Sequence, residues 1–212
     1  MAERLPVCVW QDGPGRSRSY PEDGVARLAR AQGRLEYALG LSVEAVTVDP
    51  LNARSYSGLG FSHWYAGHAA EARTAFEKTV ELAPEYPYCH LALAVLALSE
   101  GNPQAALAEC KLELEGPFRL QGLAMAHRDL GQSLESDRAL EELRDRFADE
   151  MAMQIAEVHA SRGDTEFAIE WLERAYEQWD NGLVDLKVKP LLGSLRGESR
   201  FSLLVTKMGL PL

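Results

Sequence analysis

The side chains best suited to chemistry in this sequence are its histidines and cysteines. His63, His127 and His159 are candidate metal ligands, and Cys89-His90 sets a thiol beside an imidazole. Zinc needs its ligands to converge at about 2.0–2.1 Å. A thiol–imidazole pair needs both side chains on one side of the backbone, whereas neighbours on a helix point about 100° apart. The cysteines Cys8, Cys89 and Cys110 are odd in number and contain no C-x-x-C pair. A disulfide framework and a zinc knuckle are therefore excluded, and buried, reduced thiols are expected. No G-x-S-x-G elbow, G-x-x-x-x-G-K-[ST] loop or H-E-x-x-H helix occurs. Gly58-Leu59-Gly60 lies within a helical pattern and has no strand before it, so it is no dinucleotide loop. The expectation is a chain with no catalytic residue, no metal site and no cofactor, and therefore no enzyme.

Charge narrows the partners. The 212 residues carry 32 acidic and 22 basic side chains, a net charge of -10. Without a segregated basic block such a chain repels phosphate backbones, so nucleic acid is not an expected partner. No segment approaches the roughly 18 apolar residues of a membrane span, and Met1 to Tyr20 lacks the continuous apolar core of a signal peptide. No membrane partner and a cytoplasmic location are expected.

The elements that must position these side chains show themselves by repetition. Gly33, Gly67 and Gly101 are spaced by 34 residues, as are Ala38, Ala72 and Ala106, and Pro50 and Pro84. The phase loosens at Gly131 and Gly163. In the clearest unit, Ala53 to Tyr86, helical spacing of Tyr56, Leu59, Gly60, His63 and Trp64 predicts a first helix over 53–66. Gly67 ends it, a second helix over 69–82 follows with Ala72, Phe76 and Val80 on one stripe, and Pro84 stops that helix. Gly60 and Ala72 allow close approach, and Phe76 and Leu59 fill the remaining space. One hairpin leaves an apolar flank open, so neighbours must stack on it.

These residues resemble the tetratricopeptide repeat family. The aromatic at repeat position four is Tyr56, the Leu-Gly at seven and eight is Leu59-Gly60, the Ala at twenty is Ala72, the Phe at twenty-four is Phe76 and the Pro at thirty-two is Pro84. His63 stands where the family has Tyr, and His127 and His159 occupy that same position. Neighbouring repeats step about 10 Å apart, so the three imidazoles would not converge on a metal. Each is expected to fill inter-helix space and satisfy a hydrogen bond through a ring nitrogen. The resemblance implies an all-α, right-handed α-α superhelix of about five hairpins, at 19–52, 53–86, 87–116, 117–148 and 149–182. Before them lies a disordered or irregular segment, 1–18, and after them a capping segment, 183–212, with a helix over 198–208. That tail is similar to the ones closing repeat regions in many bacterial proteins.

The family's concave wall comes from repeat positions two, five, nine, twelve and thirteen. Carried over, these positions make a partner-binding groove of Arg54, Phe61, Trp64 and Tyr65 from the second unit, Tyr88, Leu91, Val95 and Leu98 from the third, and Phe118, Met125 and Arg128 from the fourth. Arg27 and Arg30 face inward from the first, and Glu157 from the fifth. Aromatic and Arg side chains are the types enriched at binding hot spots. The implied function is a scaffold binding a peptide or helix of a partner protein. The alternatives are a self-associating module, such as a homodimer, or a small enzyme built on the same scaffold. The chaperone-tail clamp of some family members is not reproduced, because Asp23, Arg27 and Gly58 hold its positions. The acidic run from Glu135 to Glu150 reads as a solvated helix face with i,i+4 pairs.

Overall fold

The computed structural model describes residues 21–210. The expected irregular segment 1–18 and Cys8 lie outside them. Ten helices form five antiparallel pairs: α1 (Pro21–Ala31) with α2 (Leu35–Val48), α3 (Ala53–Tyr65) with α4 (Ala69–Leu82), α5 (Cys89–Ser99) with α6 (Pro103–Leu112), α7 (Pro117–Asp129) with α8 (Ser133–Phe147), and α9 (Ala152–Arg162) with α10 (Thr165–Glu177). Two 3-10 segments, Asn181–Asp185 and Pro190–Leu195, lead to α11 (Ser199–Lys207). No strand occurs among the described residues, and the pairs stack into a right-handed superhelix.

The periodic glycines set the turns. Gly33, Gly67, Gly101, Gly131 and Gly163 all have φ between +73° and +84°, where a Cβ would clash with the backbone. In each turn the next residue donates its N–H to the carbonyl five residues back, as His68 does to His63 at 2.9 Å and Gln132 to His127 at 2.9 Å. This bond satisfies a carbonyl that the helix end would leave unpaired. The same geometry recurs five times, so all five hairpins reverse alike.

Within the second hairpin, a Cβ placed on Gly60 would lie 2.6–2.9 Å from the Phe76 ring. Phe76 is fully buried. Leu59 behaves differently from expectation: it is half-buried and lines an open depression between α3 and α4, beside His63 and Glu71. Its position on the helix turns it away from the contact that Gly60 makes.

Two substitutions of the repeat pattern are absorbed locally. Cys110, in place of the family's Phe, is buried, and a Cβ on Gly122 would meet its sulfur at 2.5 Å. Ser136, in place of Ala, is also buried and donates to Ala124 O at 2.5 Å while accepting from Arg162 Nη2 at 2.6 Å. On the acidic face of α8, Arg146 pairs with Glu142 at i,i+4 spacing.

The chain's end does more than cover the last hairpin. Leu183, Leu186, Leu192 and Leu195, with Phe201, Leu204 and Val205 of α11, pack on Met153, Ala156, Ala168 and Leu172 of α9 and α10. Arg200 fastens α11 to α10 through both oxygens of Glu173, at 3.1 and 2.8 Å. Between these contacts, residues 181–189 cross the concave side and reach α1, where Arg27 Nη2 donates to Asn181 O at 3.0 Å. Val188 joins the inner core that holds Trp64, Tyr65, Leu91 and Met125.

The Gly60 contact is testable. Gly60→Ala should lower stability by about 1–3 kcal/mol through overpacking, despite the better helix propensity of Ala. A urea midpoint equal to or above wild type would contradict the close approach.

Candidate functional site

With residues 181–189 laid across the concave side, what stays open is a basin of about 560 Å³. Its walls are α1 and α3 on one side, the starts of α5 and α7 behind, and the start of α9 with the C-terminal segment opposite. Five predicted groove residues line it: Arg54, Phe61, Tyr65, Tyr88 and Phe118. Trp64, Leu91, Val95 and Met125 are instead buried in the inner core, and Leu98 is half-buried against it. Arg128 is exposed and away from the basin. The groove positions are therefore divided between an open basin and the inner core, which Val188 of the tail also joins.

The aromatic wall is built around Tyr88. Its ring lies 5.5 Å from Phe61 and 5.0 Å, edge-on, from Phe118. Tyr88 has φ +74°, a left-handed conformation that side-chain-bearing residues adopt rarely. Glu113 holds it there. This carboxylate, 3% exposed, accepts from Tyr88 N at 3.2 Å and from Leu91 N at 3.0 Å. Two otherwise orphaned donors at the start of α5 thus receive a negative charge, as the helix dipole favours.

The floor is ionic. Lys189 Nζ donates to Glu157 Oε1 at 2.5 Å, and Gln121 Nε2 donates to Glu157 Oε2 at 2.6 Å. The two charged side chains are 8% and 1% exposed. Burial alone would lower the Lys189 ammonium, but Glu157, aided by Asp185, holds it above its ordinary value. Lys189 Nζ also lies 5.9 Å from the centre of the Tyr88 ring. Tyr65 is pushed up by burial and by Asp185, so its hydroxyl stays protonated at neutral pH. At the edge, Asp180 ties the tail to α9 by accepting from Gly182 N at 2.7 Å and Met153 N at 3.0 Å.

Asp180, Asp185 and Lys189 were not among the groove residues expected from the repeat frame, because they follow its last inward-facing helix. Gln154 was also missed, since it falls between the inward positions. Glu157 was placed inward by the repeat frame, and that is where its partner Lys189 meets it.

The histidines remain apart. His127 and His159 bond through Nδ1 to Gln132 at 2.6 Å and to Asp164 at 3.3 Å. His63 departs from the expected pattern: its Nδ1 is buried without a partner, because the corresponding side chain is His68, with ring centres 5.7 Å apart. Among the described residues, no group of three or more His, Cys, Asp or Glu side chains is placed to hold a metal. Cys89 is buried with its thiol pushed up to about 12 by burial, and His90 Nδ1 faces Glu109 at 2.8 Å. Among the described residues no helix is long and apolar enough to cross a membrane.

Paired helices in a right-handed stack, with an aromatic concave basin, define a helical-repeat scaffold. The tetratricopeptide repeat model matches residues 57–118 and 122–182, together more than half of the sequence, and the chain belongs to that family. Repeats of this kind generally mediate protein–protein interactions. Solved structures agree on the fold. The thermophilic tetratricopeptide repeat protein TTC0263 of Thermus thermophilus superposes with a TM-score of 0.61 at 18% identity, over 87% of this chain and 97% of that one. A tetratricopeptide repeat protein of Parabacteroides merdae gives 0.55 at 16%, over 89% and 76%. The Pseudomonas aeruginosa protein pilF gives 0.52 at 11%, over 88% and 91%. No curated protein matches the sequence.

Two measurements follow from these side chains. Lys189→Met should cost about 3–5 kcal/mol by leaving Glu157 buried and uncompensated, and adding Glu157→Gln should recover most of that loss. A single variant within about 1 kcal/mol of wild type in urea titrations would remove the pair from its structural role. For His63, burial holds the ring below its ordinary value, with Glu71 raising it and His68 lowering it. Such a group stabilises the fold above its unfolded pKa of about 6.5 and loses that contribution as pH falls towards the folded value. His63→Tyr should therefore lose less Tm than wild type between pH 7 and pH 5; parallel declines would argue against this.

Proposed function

We propose that the chain is a non-catalytic scaffold that holds a segment of a partner protein in the concave basin. The observation that carries this reading is Tyr88. A left-handed backbone, fixed by a buried carboxylate, displays an aromatic ring between Phe61 and Phe118 on the open side of the stack. Non-glycine residues in such conformations cost free energy and cluster where a side chain must be aimed. Arg27 and Arg54 line the same basin, and Arg, with Tyr and Trp, is enriched at binding hot spots.

A non-catalytic role is supported by the state of the reactive groups. Cys89 and Cys110 are both buried, with thiols pushed up to about 12 by burial, far from the thiolate form a nucleophile needs. Free buried thiols also fit the reducing cytoplasm. The self-associating alternative draws on the first hairpin, where Val25, Leu28, Tyr37, Val43 and Val48 are exposed.

Trp64 and Tyr65 sit in the inner core, so truncating them tests folding more than binding. Phe118 and Arg54 are better placed. Phe118→Ser with Arg54→Glu should keep helical circular dichroism and a monomeric mass by light scattering. Partner capture from native extract should fall at least tenfold. Undiminished capture by the folded double variant would refute the basin as the binding surface, and a wild-type dimer broken by Val48→Glu would favour self-association.

A further inference from the structure

The two ends of the stack come together beside the tail and leave a second opening there. A cleft of about 420 Å³ lies between the first two hairpins and the stretch from residue 187 into α11. The hairpins contribute Leu35 and Tyr65 to it, and the tail contributes Val188, Phe201 and Val205. Of its lining residues only Tyr65 also lines the basin, so the cleft is a separate place in the fold.

The charges in this cleft have one sign. Lys187 and Arg196 line it, whereas no Asp, Glu, Asn or Gln does. Lys187 Nζ is held at the turn after α1, where a Cβ built on Gly33 would stand 3.4 Å from it. Lys189 and Arg200 of the same tail are paired with Glu157 and Glu173. Among the described residues, Lys187 and Arg196 have no such carboxylate partner. Two unpaired cations in one cleft of a chain with net charge -10 form a local reversal of sign. They repel each other, and an anion placed between them removes that cost.

This lining also selects the kind of anion. Lysine and arginine side chains donate hydrogen bonds and cannot accept them. A peptide segment brings N–H donors, for which the lining side chains offer only hydroxyl groups such as that of Ser202. A small inorganic anion would leave the apolar walls uncovered. An anion on an aliphatic chain brings acceptors at one end and apolar surface along the rest. Small-molecule sites of about 300–1,000 Å³ have this character, with apolar walls and a few polar groups that fix orientation.

We propose that the cleft is a second binding site, independent of the basin, that takes a soluble aliphatic carboxylate. The carboxylate meets Lys187 and Arg196, and the chain lies against Leu35, Val188, Phe201 and Val205. Because the walls come from both ends of the stack, the bound molecule fastens the first hairpin to the C-terminal cap.

The test titrates decanoate into the full chain by calorimetry, with decan-1-ol as its uncharged counterpart. One decanoate should bind per chain and raise the Tm by mass action. Decan-1-ol should bind about tenfold more weakly or worse, as should decanoate to Lys187→Met with Arg196→Met. Ser202→Leu fills the cleft while keeping both cations, so it should lose decanoate to the same degree with unchanged helical circular dichroism. This variant decides the question even where the double variant does not fold. Equal affinity for decan-1-ol, undiminished binding by folded Ser202→Leu, or uptake of many decanoates per chain would overturn the site. Binding that is lost in Phe118→Ser with Arg54→Glu and kept in the cleft variants would move the ligand to the basin and overturn it as well. Capture by phosphatidylglycerol vesicles without binding of free decanoate would replace the soluble ligand by a lipid surface, again against the proposal.

Discussion

No hairpin in this chain can bury its own apolar flank, and the rest of the structure follows from that constraint. Each pair of helices closes one side through small residues, as Gly60 does against Phe76, and offers the other side to its neighbour. Stacking passes the open flank along until it reaches the last pair. There the 3-10 segments and α11 bring seven buried apolar side chains to α9 and α10. Closure at one end alone would leave the concave wall bare. Val188 and Lys189 cover part of it from the same stretch of chain, so capping and groove formation are one event.

That coupling explains the tolerance of a buried ion pair. Charges removed from water gain little net stability even when well paired, and Val or Leu at positions 157 and 189 would serve packing as well. A pair joined by Gln121, however, accepts only one register of the tail against α9 and α7. The position of the tail in turn sets where Asp185 meets Arg27 and where Asn181 meets α1. Apolar packing supplies the adhesion, and the polar contacts choose among the ways the tail could lie.

What could be read in the sequence divides along the same line. The turns were legible because their cause is local: a left-handed residue every 34 positions admits glycine with little competition, and Gly33, Gly67 and Gly101 keep that spacing. Inward helix faces were legible for the same reason, and Phe61, Tyr88 and Phe118 do meet on the open side. Depth was not. Leu91, Val95 and Met125 share the inward positions yet lie in the inner core that Val188 joins, since burial there depends on how closely neighbouring hairpins and the tail pack. The 3-10 segments carry no period of 3.6 or of 34, so nothing in residues 181–195 announced a path over the groove. Lys189 and Glu157 are 32 residues apart, a pairing that only the assembled curvature creates.

Tyr88 shows how strain and closure combine at the basin. Its backbone conformation is held by Glu113 from the end of α6, and its ring is bounded by Phe61, Phe118 and the Lys189 ammonium. Elements from the second, third and fourth hairpins and from the tail must all be in place before that ring takes its observed direction. An aromatic surface prepared this way loses little side-chain freedom on binding, which is the main cost that a preformed site avoids. A flexible groove would adapt to many segments. In the binding mode proposed above, a central ring fixed by four separate parts of the fold would select by shape, and its direction depends on the tail remaining where the Glu157–Lys189 pair holds it.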